Sequence, residues 1–533
     1  MSPVVPSIVV PDRQRQLWGR DAGLSRKPRE AFHRAALLVR RWSPEWRDAV
    51  LYSVSGCFAG VTALIAGIPL YRQWGEMAVG PYAAAGVFMA VIAWRAGRPA
   101  RTRARSEPAG LGAVGTGPPI IGALPPTNGQ AANGKAANGK AANGKAVVTE
   151  VHPDPLGGPA GRPRRWQAAR VGACIVVLAG ATIVPLTMEV IWRSEGDAAA
   201  HVQPEVLVVE RAGVLADKGK DPYRLVDKNG HILINQNQVP TYELYYPYLP
   251  GMVLFGFSSG SKVEARLTDA RIQFLVFTVI ISVIALSRLR PRTDSRFRAL
   301  QVLTVLPTAA LPLATGGDDM PVAALMLLGL VALQRRRPLI AGLALGAASS
   351  LKFTAWPLAV LAIWVAIDQQ QRRAIGRFLV GLLVVICPVV LPLALSNPSA
   401  FIDNVVRFPL GLAGVASPAV SPLPGHLFVS AFPGAHRVYV VILVVVGLAL
   451  LARHLIRRPP VGAAGVARLA GWVMLFAILL APATRVGYLL YPINLFVWSW
   501  MLGRAADPAV PPDQTGARGP ELGVDRIEPQ PVP

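Results

Sequence analysis

Charged side chains are scarce in this 533-residue chain, 16% of the total against about 25% in soluble domains. The few that stand at the edges of apolar runs are the ones able to do chemistry. Glu195 and Asp197 come directly after one such run, and Glu205 follows in the same polar stretch. A carboxylate overhanging a cavity there suits a general base that removes a proton from an acceptor hydroxyl; ordinary solvated loop acids are the plain alternative. Asp318 and Asp319 follow a double glycine and open a helix, where the dipole favours carboxylates. Capping accounts for one of them, and the pair can bind ligand hydroxyls or, less readily, a divalent cation. Lys352 sits between two apolar runs and Arg485 follows another, positions from which either can neutralise a phosphate. Snorkelling explains Lys352 equally well. None of the seven histidines has a partner at metal-ligand spacing, and His201, the one inside this polar stretch, reads as a bystander. No glycine-rich phosphate loop opens a helix in a soluble domain, so nucleotide binding has no support.

The elements that must position these groups are membrane helices. Apolar runs of membrane length recur along the chain, and a span needs roughly 20 residues. Twelve stretches qualify, near 51–70, 77–94, 170–192, 271–288, 299–315, 320–334, 338–351, 354–367, 376–396, 437–453, 467–483 and 486–502. The chain therefore reads as an all-α, polytopic helical membrane protein of about 12 spans. The formal charge of +24 would suggest nucleic acid in a soluble protein. Here about 40 of the 54 Lys and Arg fall on the side holding the N-terminus, in segments such as Arg288–Arg298 and Arg335–Arg337, and the positive-inside rule makes that side cytoplasmic. Basicity is thus a topology signal for a plasma-membrane protein with both termini in the cytoplasm, and no nucleic-acid partner is expected. Cys57, Cys174 and Cys387 lie inside spans without paired spacing and read as small buried hydrophobes. The first span starts too late for a cleavable signal.

Five regions emerge from composition. Residues 1–50 form a basic cytoplasmic segment, and 51–94 a two-span module open to a protein partner. Residues 95–169, with AANGKAANGKAANGK at 131–145, are too poor in apolar residues to bury a core and read as a disordered linker. The membrane body runs over 170–505 and contains a large outer loop, 193–269; 506–533 is a Pro-rich tail. Within the loop, PEVLVVERAGVLA (204–216) has helical apolar spacing with Pro204 suited to a first turn, GKDPYRL reads as a turn, and YYPYLPGMVLFGF (245–257) is too proline-broken to span.

Four stretches together resemble the GT-C superfamily of membrane glycosyltransferases, and most of all the bacterial polyprenyl-phosphate-mannose-dependent mannosyltransferases of glycosyltransferase family 87. They are SEGDAAAHVQPEV after the body's first span; VERAGVLADKGKDPYRL with YYPYLPGMVLFGF, similar to the family's G-x-x-x-Y and Y-P-P-x elements; ATGGDDMPVAALMLLGLVAL with AGLALGAASSLKFTAWPLAVL; and PATRVGYLLYPINLFVW. The resemblance covers roughly 170–505; Tyr248 stands where the family has a second proline, and the first 165 residues have no counterpart. It implies a polyprenyl-phosphate sugar donor, a lipid or glycan acceptor, an extracytoplasmic site, and inverting transfer with no cofactor and no required metal. The catalytic acid maps onto Asp197, although Glu205 lies nearer the family's usual distance from G-x-x-x-Y. Asp221 and Tyr223 in that element, and Tyr246 in the next, become substrate-binding candidates beside Asp318, Asp319, Lys352 and Arg485. A flippase of lipid-linked sugars and a non-catalytic envelope-assembly protein are the rival readings, the former disfavoured because the charges gather at span ends rather than at breaks within paired spans.

Overall fold

In lipid a backbone has only itself to bond with, so long apolar runs become helices. The computed structural model describes residues 42–97, 164–196, 200–223, 241–257, 266–289, 293–368 and 372–505. The 131–145 repeat, most of the basic N-terminal segment and the tail after 505 lie outside them. The chain divides into two units, Met1–Ser43 with Val91–Arg164 and Pro44–Ala90 with Arg165–Pro533. Little of the first lies among the described residues, and the architecture is that of the second.

Each of the twelve apolar stretches coincides with helix. The N-terminal pair is α1 (Pro44–Ile65) and α2 (Pro69–Gly97), and the body opens with α3 (Arg164–Leu178), a π-turn over Ala179–Ile183, and α4 (Val184–Glu195). After α5 (Pro204–Asp217) come α6 (Ala270–Ser287), α7 (Thr293–Thr304), α8 (Pro307–Thr315), α9 (Asp319–Gln334), α10 (Pro338–Leu351), α11 (Trp356–Asp368) and α12 (Arg372–Ser396). Short pieces intervene before α13 (His436–Arg457), α14 (Gly462–Leu480) and α15 (Leu490–Ala505). The protein is an all-α polytopic membrane protein.

The expected count of about 12 spans needs one correction. Among the described residues eight helices are long and apolar enough to cross a bilayer, or nine if the pair α7–α8, bent by 41°, is one span. The other three, α9, α10 and the Phe353–Val365 helix, are shorter. Helix α9, at 16 residues, reaches only about 24 Å. Nearly every one of its residues is buried, as expected of a helix that is apolar all round, so it is sheathed by protein rather than by lipid. The converse holds for α12 and α13, whose Val380, Leu383, Val384, Val441, Val445 and Leu448 are exposed and belong against acyl chains. Cys174 is buried as expected, but Cys57 is exposed on the outside of α1, because a lipid-facing position needs apolarity and not burial in protein.

The N-terminal pair is bonded to the body. Trp74, fully buried, donates from Nε1 to the Ala181 carbonyl in the π-turn (2.8 Å), and Tyr82 donates to the Val305 carbonyl (2.5 Å). At the other end of α1 the buried Asp48 accepts from Arg170, from Arg298 (2.5 Å) and from Gln301 (3.1 Å), and Arg170 also binds Asp294 at 2.7 Å. A carboxylate out of water is tolerable when its lone pairs are this fully engaged.

Candidate active site

Four connections return to one end of the bundle: the polar stretch after α4, the turn α8–α9, the bend after α10, and the loop before α15. Helix α5 starts at Pro204 as the sequence predicts, with Gln203 as its extended N-cap and Val206, Val208, Val209 and Ala212 on the buried face. It crosses the short 3₁₀ helix Pro250–Phe255 backbone to backbone. A Cβ on Gly213 would lie 2.0 Å from Gly256 C, so only glycine permits this crossing.

Charge fixes the loop at its base. Arg193 binds Glu210 (2.6 Å) and Asp269 (2.7 Å), and Arg271 adds two bonds to Asp269 (2.9 and 2.8 Å). Burial alone would raise the Asp269 pKa, but hydrogen bonding and charge from Arg271, joined by Arg193, hold the carboxyl below its ordinary value. Arg271 also donates to the His201 carbonyl (2.8 Å), and His201 Nδ1 pairs with the fully buried Glu189 at 2.9 Å. The histidine expected to be a bystander is thus the partner of an acid inside α4.

The double glycine before Asp318 makes a tight turn, with Gly317 at φ +85°, a conformation disfavoured for residues with a side chain. It places Asp318 and Asp319 against Lys352, whose Nζ donates to Asp318 Oδ2 (2.8 Å) and to Asp319 Oδ1. Tyr491 donates to the same Asp319 oxygen (2.6 Å) and accepts from Thr354 (2.7 Å). The rings of Tyr248 and Tyr488 flank the ammonium at 5.3 and 5.4 Å, a cation–π cage. The lysine expected to meet a phosphate has its charge balanced by the two aspartates expected to meet hydroxyls.

In front of this cluster lies a cleft with about 920 Å³ of empty space, part of it open to solvent. Glu205, Arg485, Lys352, Tyr245, Tyr248 and Tyr488 are among the residues on its wall. Arg485 Nη1 is bonded to Glu205 Oε1. Glu205 Oε2 is buried and has no hydrogen-bond partner among the described residues. A carboxylate on the cleft wall with one oxygen held by a guanidinium and the other unengaged can accept a proton from an entering hydroxyl once a turn of its side chain brings the free oxygen to the cleft.

The remaining sequence candidates fall elsewhere. Asp197 lies outside the described residues. Glu195 is more than half exposed, and its partner Arg266, at 3.2 Å, is exposed too, which fits a solvated loop acid. Asp221 accepts from the Tyr223 amide (2.9 Å) and lines a different groove, beside Pro250 and Leu393. Tyr223 and Tyr246 are buried, with ring centroids 5.4 Å apart. Tyr223 donates to the Tyr248 carbonyl (2.7 Å), and the Tyr246 amide donates to Asn404 Oδ1 (2.7 Å). They support Tyr248 from behind instead of lining the cleft. Sequence reading missed Tyr248, Tyr488 and Tyr491. The available signal was tyrosine spaced i, i+3 after Arg485, which puts two hydroxyls on one helical face beside a charge.

Residues 265–482 match the model of glycosyltransferase family 87, described as such, and no curated protein matches the chain. The matched segment contains the Asp318–Asp319–Lys352 cluster, while Glu205 and Arg485 flank it in sequence. Residues 265–482 of this apolar helical body are thus similar to glycosyltransferase family 87, and the match supports a membrane glycosyltransferase.

Proposed function

We propose that the protein transfers a sugar, mannose by resemblance, from a polyprenyl-phosphate donor to a lipid or glycan acceptor of the cell envelope, on the extracytoplasmic face of the plasma membrane. The reaction is inverting. The acceptor oxygen attacks the anomeric carbon as its proton passes to Glu205 Oε2, and the bond from that carbon to the phosphate oxygen breaks. Charge growing on the departing phosphate is met by Arg485, whose fork suits phosphate as well as carboxylate. Lys352, already committed to two carboxylates, serves with them and with Tyr491 to hold Tyr248 and Tyr488 as hydroxyl-bearing walls for the sugar.

The observation that carries this reading is the Glu205–Arg485 pair in the cleft, with Glu205 Oε2 left unengaged. It favours Glu205 as the base over Glu195, and Asp197 is tested beside it. Purified protein is incubated with labelled polyprenyl-phosphate sugars and membrane lipid extract. Glu205→Gln is expected to lose transfer by about 10²–10⁴-fold, the usual worth of a positioned base. Retained transfer there with loss in Asp197→Asn moves the base to Asp197; if neither change matters, the enzymatic reading fails.

A further inference from the structure

We infer that the Gln203 carboxamide and the Tyr71 phenol form a positioning pair for Glu205, so that the N-terminal helical pair completes the active site. This rests on Glu205 being the base.

Gln203 is the residue before Pro204, the first residue of α5, and only two before Glu205. Its side chain leaves the loop and gives both Nε2 hydrogens to neighbours from distant segments. One goes to the Tyr71 hydroxyl at 2.9 Å, the other to Thr315 Oγ1 at 2.7 Å. Its main-chain amide donates to the Thr315 carbonyl (3.1 Å). Thr315 in turn donates from Oγ1 to the Leu311 carbonyl (2.8 Å). That fixes the direction of the bonds, because the threonine hydroxyl, having given its one proton, must accept from the amide. The fit is also steric. A Cβ on Gly316 would lie 2.4 Å from Gln203 Oε1, so the glycine before the acidic turn leaves room for this carboxamide.

One side chain therefore joins three pieces. It bonds the residue two before Glu205 to the residue three before Asp318, and both to Tyr71, close to the start of α2. Tyr71 also lies within electrostatic reach of Arg485 and Tyr488. A carboxylate on a loop N-terminus is loose unless something locks the turn that carries it, and no third side chain bonds the Gln203 carboxamide among the described residues. Tyr71 lies outside the matched segment and within the helical pair that otherwise reads as an accessory module.

The test separates position from folding. Tyr71→Phe removes only the hydroxyl, while Trp74 and Tyr82 keep the pair docked. A misplaced base slows chemistry without weakening donor binding. The expected result is therefore a roughly tenfold fall in kcat, the worth of about one hydrogen bond, with donor KM and melting temperature near wild type. Gln203→Leu is expected to fall further in kcat for the same reason. Trp74→Phe is the control, expected to lower the melting temperature while leaving kcat unchanged well below it. Wild-type kcat in Tyr71→Phe and Gln203→Leu beside an inactive Glu205→Gln overturns the positioning pair and leaves the base in place. Wild-type kcat in Glu205→Gln overturns both. A KM rise in Tyr71→Phe with unchanged kcat overturns the positioning role as well.

Discussion

Replacing Lys352 by Met isolates what the buried charge cluster is worth. Both aspartate side chains and the lysine are about a tenth exposed (9–11%), so the substitution leaves two adjacent carboxylates with little water and no counterion. Removing one partner of a buried pair costs about 3–5 kcal/mol. The molecule has one escape, which is to protonate a carboxyl. From an ordinary aspartate pKa near 3.9 that costs at most about 4 kcal/mol at pH 7 and about 1.5 kcal/mol at pH 5, at 1.36 kcal/mol per unit. The two routes agree on a loss of about 3–4 kcal/mol at pH 7 that shrinks by more than half at pH 5. The assay is thermal unfolding in detergent at the two pH values. Adding Asp319→Asn to Lys352→Met returns most of the loss at pH 7, since an Asn oxygen still accepts from Tyr491 while the second charge is gone. Adding Asp318→Asn as well brings stability close to wild type, because a neutral cluster carries no penalty for a charge taken out of water. Wild-type stability of Lys352→Met at pH 7, or an equal loss at both pH values, refutes the cluster as described.

The folded Asp269 carboxyl titrates below its ordinary 3.8, so its stabilisation is present above that value and is lost as pH falls through the lower folded pKa. Asp269→Asn is expected to be less stable at neutral pH but to lose less between about pH 5 and pH 3, read by thermal unfolding across that range. Trp74→Phe leaves the Ala181 carbonyl in the π-turn without its donor and should cost about 1–3 kcal/mol, checked by the same unfolding measurement. For sidedness, a reporter fused after Gly260 should be active only outside the cytoplasm and one at Asn138 only inside; the reverse pattern inverts the proposed site.

Helix positions were legible because hydrophobic length is a local property. Every apolar run became helix, and even the loop helix from Pro204 was readable from its spacing. Depth was less legible: α9 is as apolar as any span, and only its surroundings reveal protein on all sides, whereas α10 leaves Leu339, Ile340 and Leu343 exposed. For the site, residue type alone did not separate wall from support. Tyr223, Tyr246 and Asp221 look like ligand contacts in sequence, yet two of them brace Tyr248 and the third lines another groove. Glu189 gave a signal that went unused, since an acid inside an apolar run is expensive unless paired. Its partner is the histidine that reads as a bystander in sequence. In sequence Lys352 and the two aspartates each look like ligand contacts, while in the fold their nearest opposite charges are one another.

What sequence does contain, and local motifs do not express, is parity. Glu205, Asp318, Lys352 and Arg485 can meet only if the chain between successive members crosses the bilayer an even number of times. The helices between them supply this: α6 with the bent pair α7–α8, α9 with α10, then α11, α12, α13 and α14. Because α9 and α10 form a hairpin, their short length leaves the outcome unchanged, since a pair that stops partway still returns to its starting side. Helix α11 is the sensitive element. It is short and is paired with the long, lipid-facing α12, so if it failed to cross, Arg485 would be carried to the side opposite Glu205. The bond between Arg485 and Glu205 therefore requires an even number of crossings between Lys352 and Arg485, a count in which the short α11 is the deciding member. A salt bridge between the two flanks of the matched segment thus constrains the parity of crossings in the segment between them.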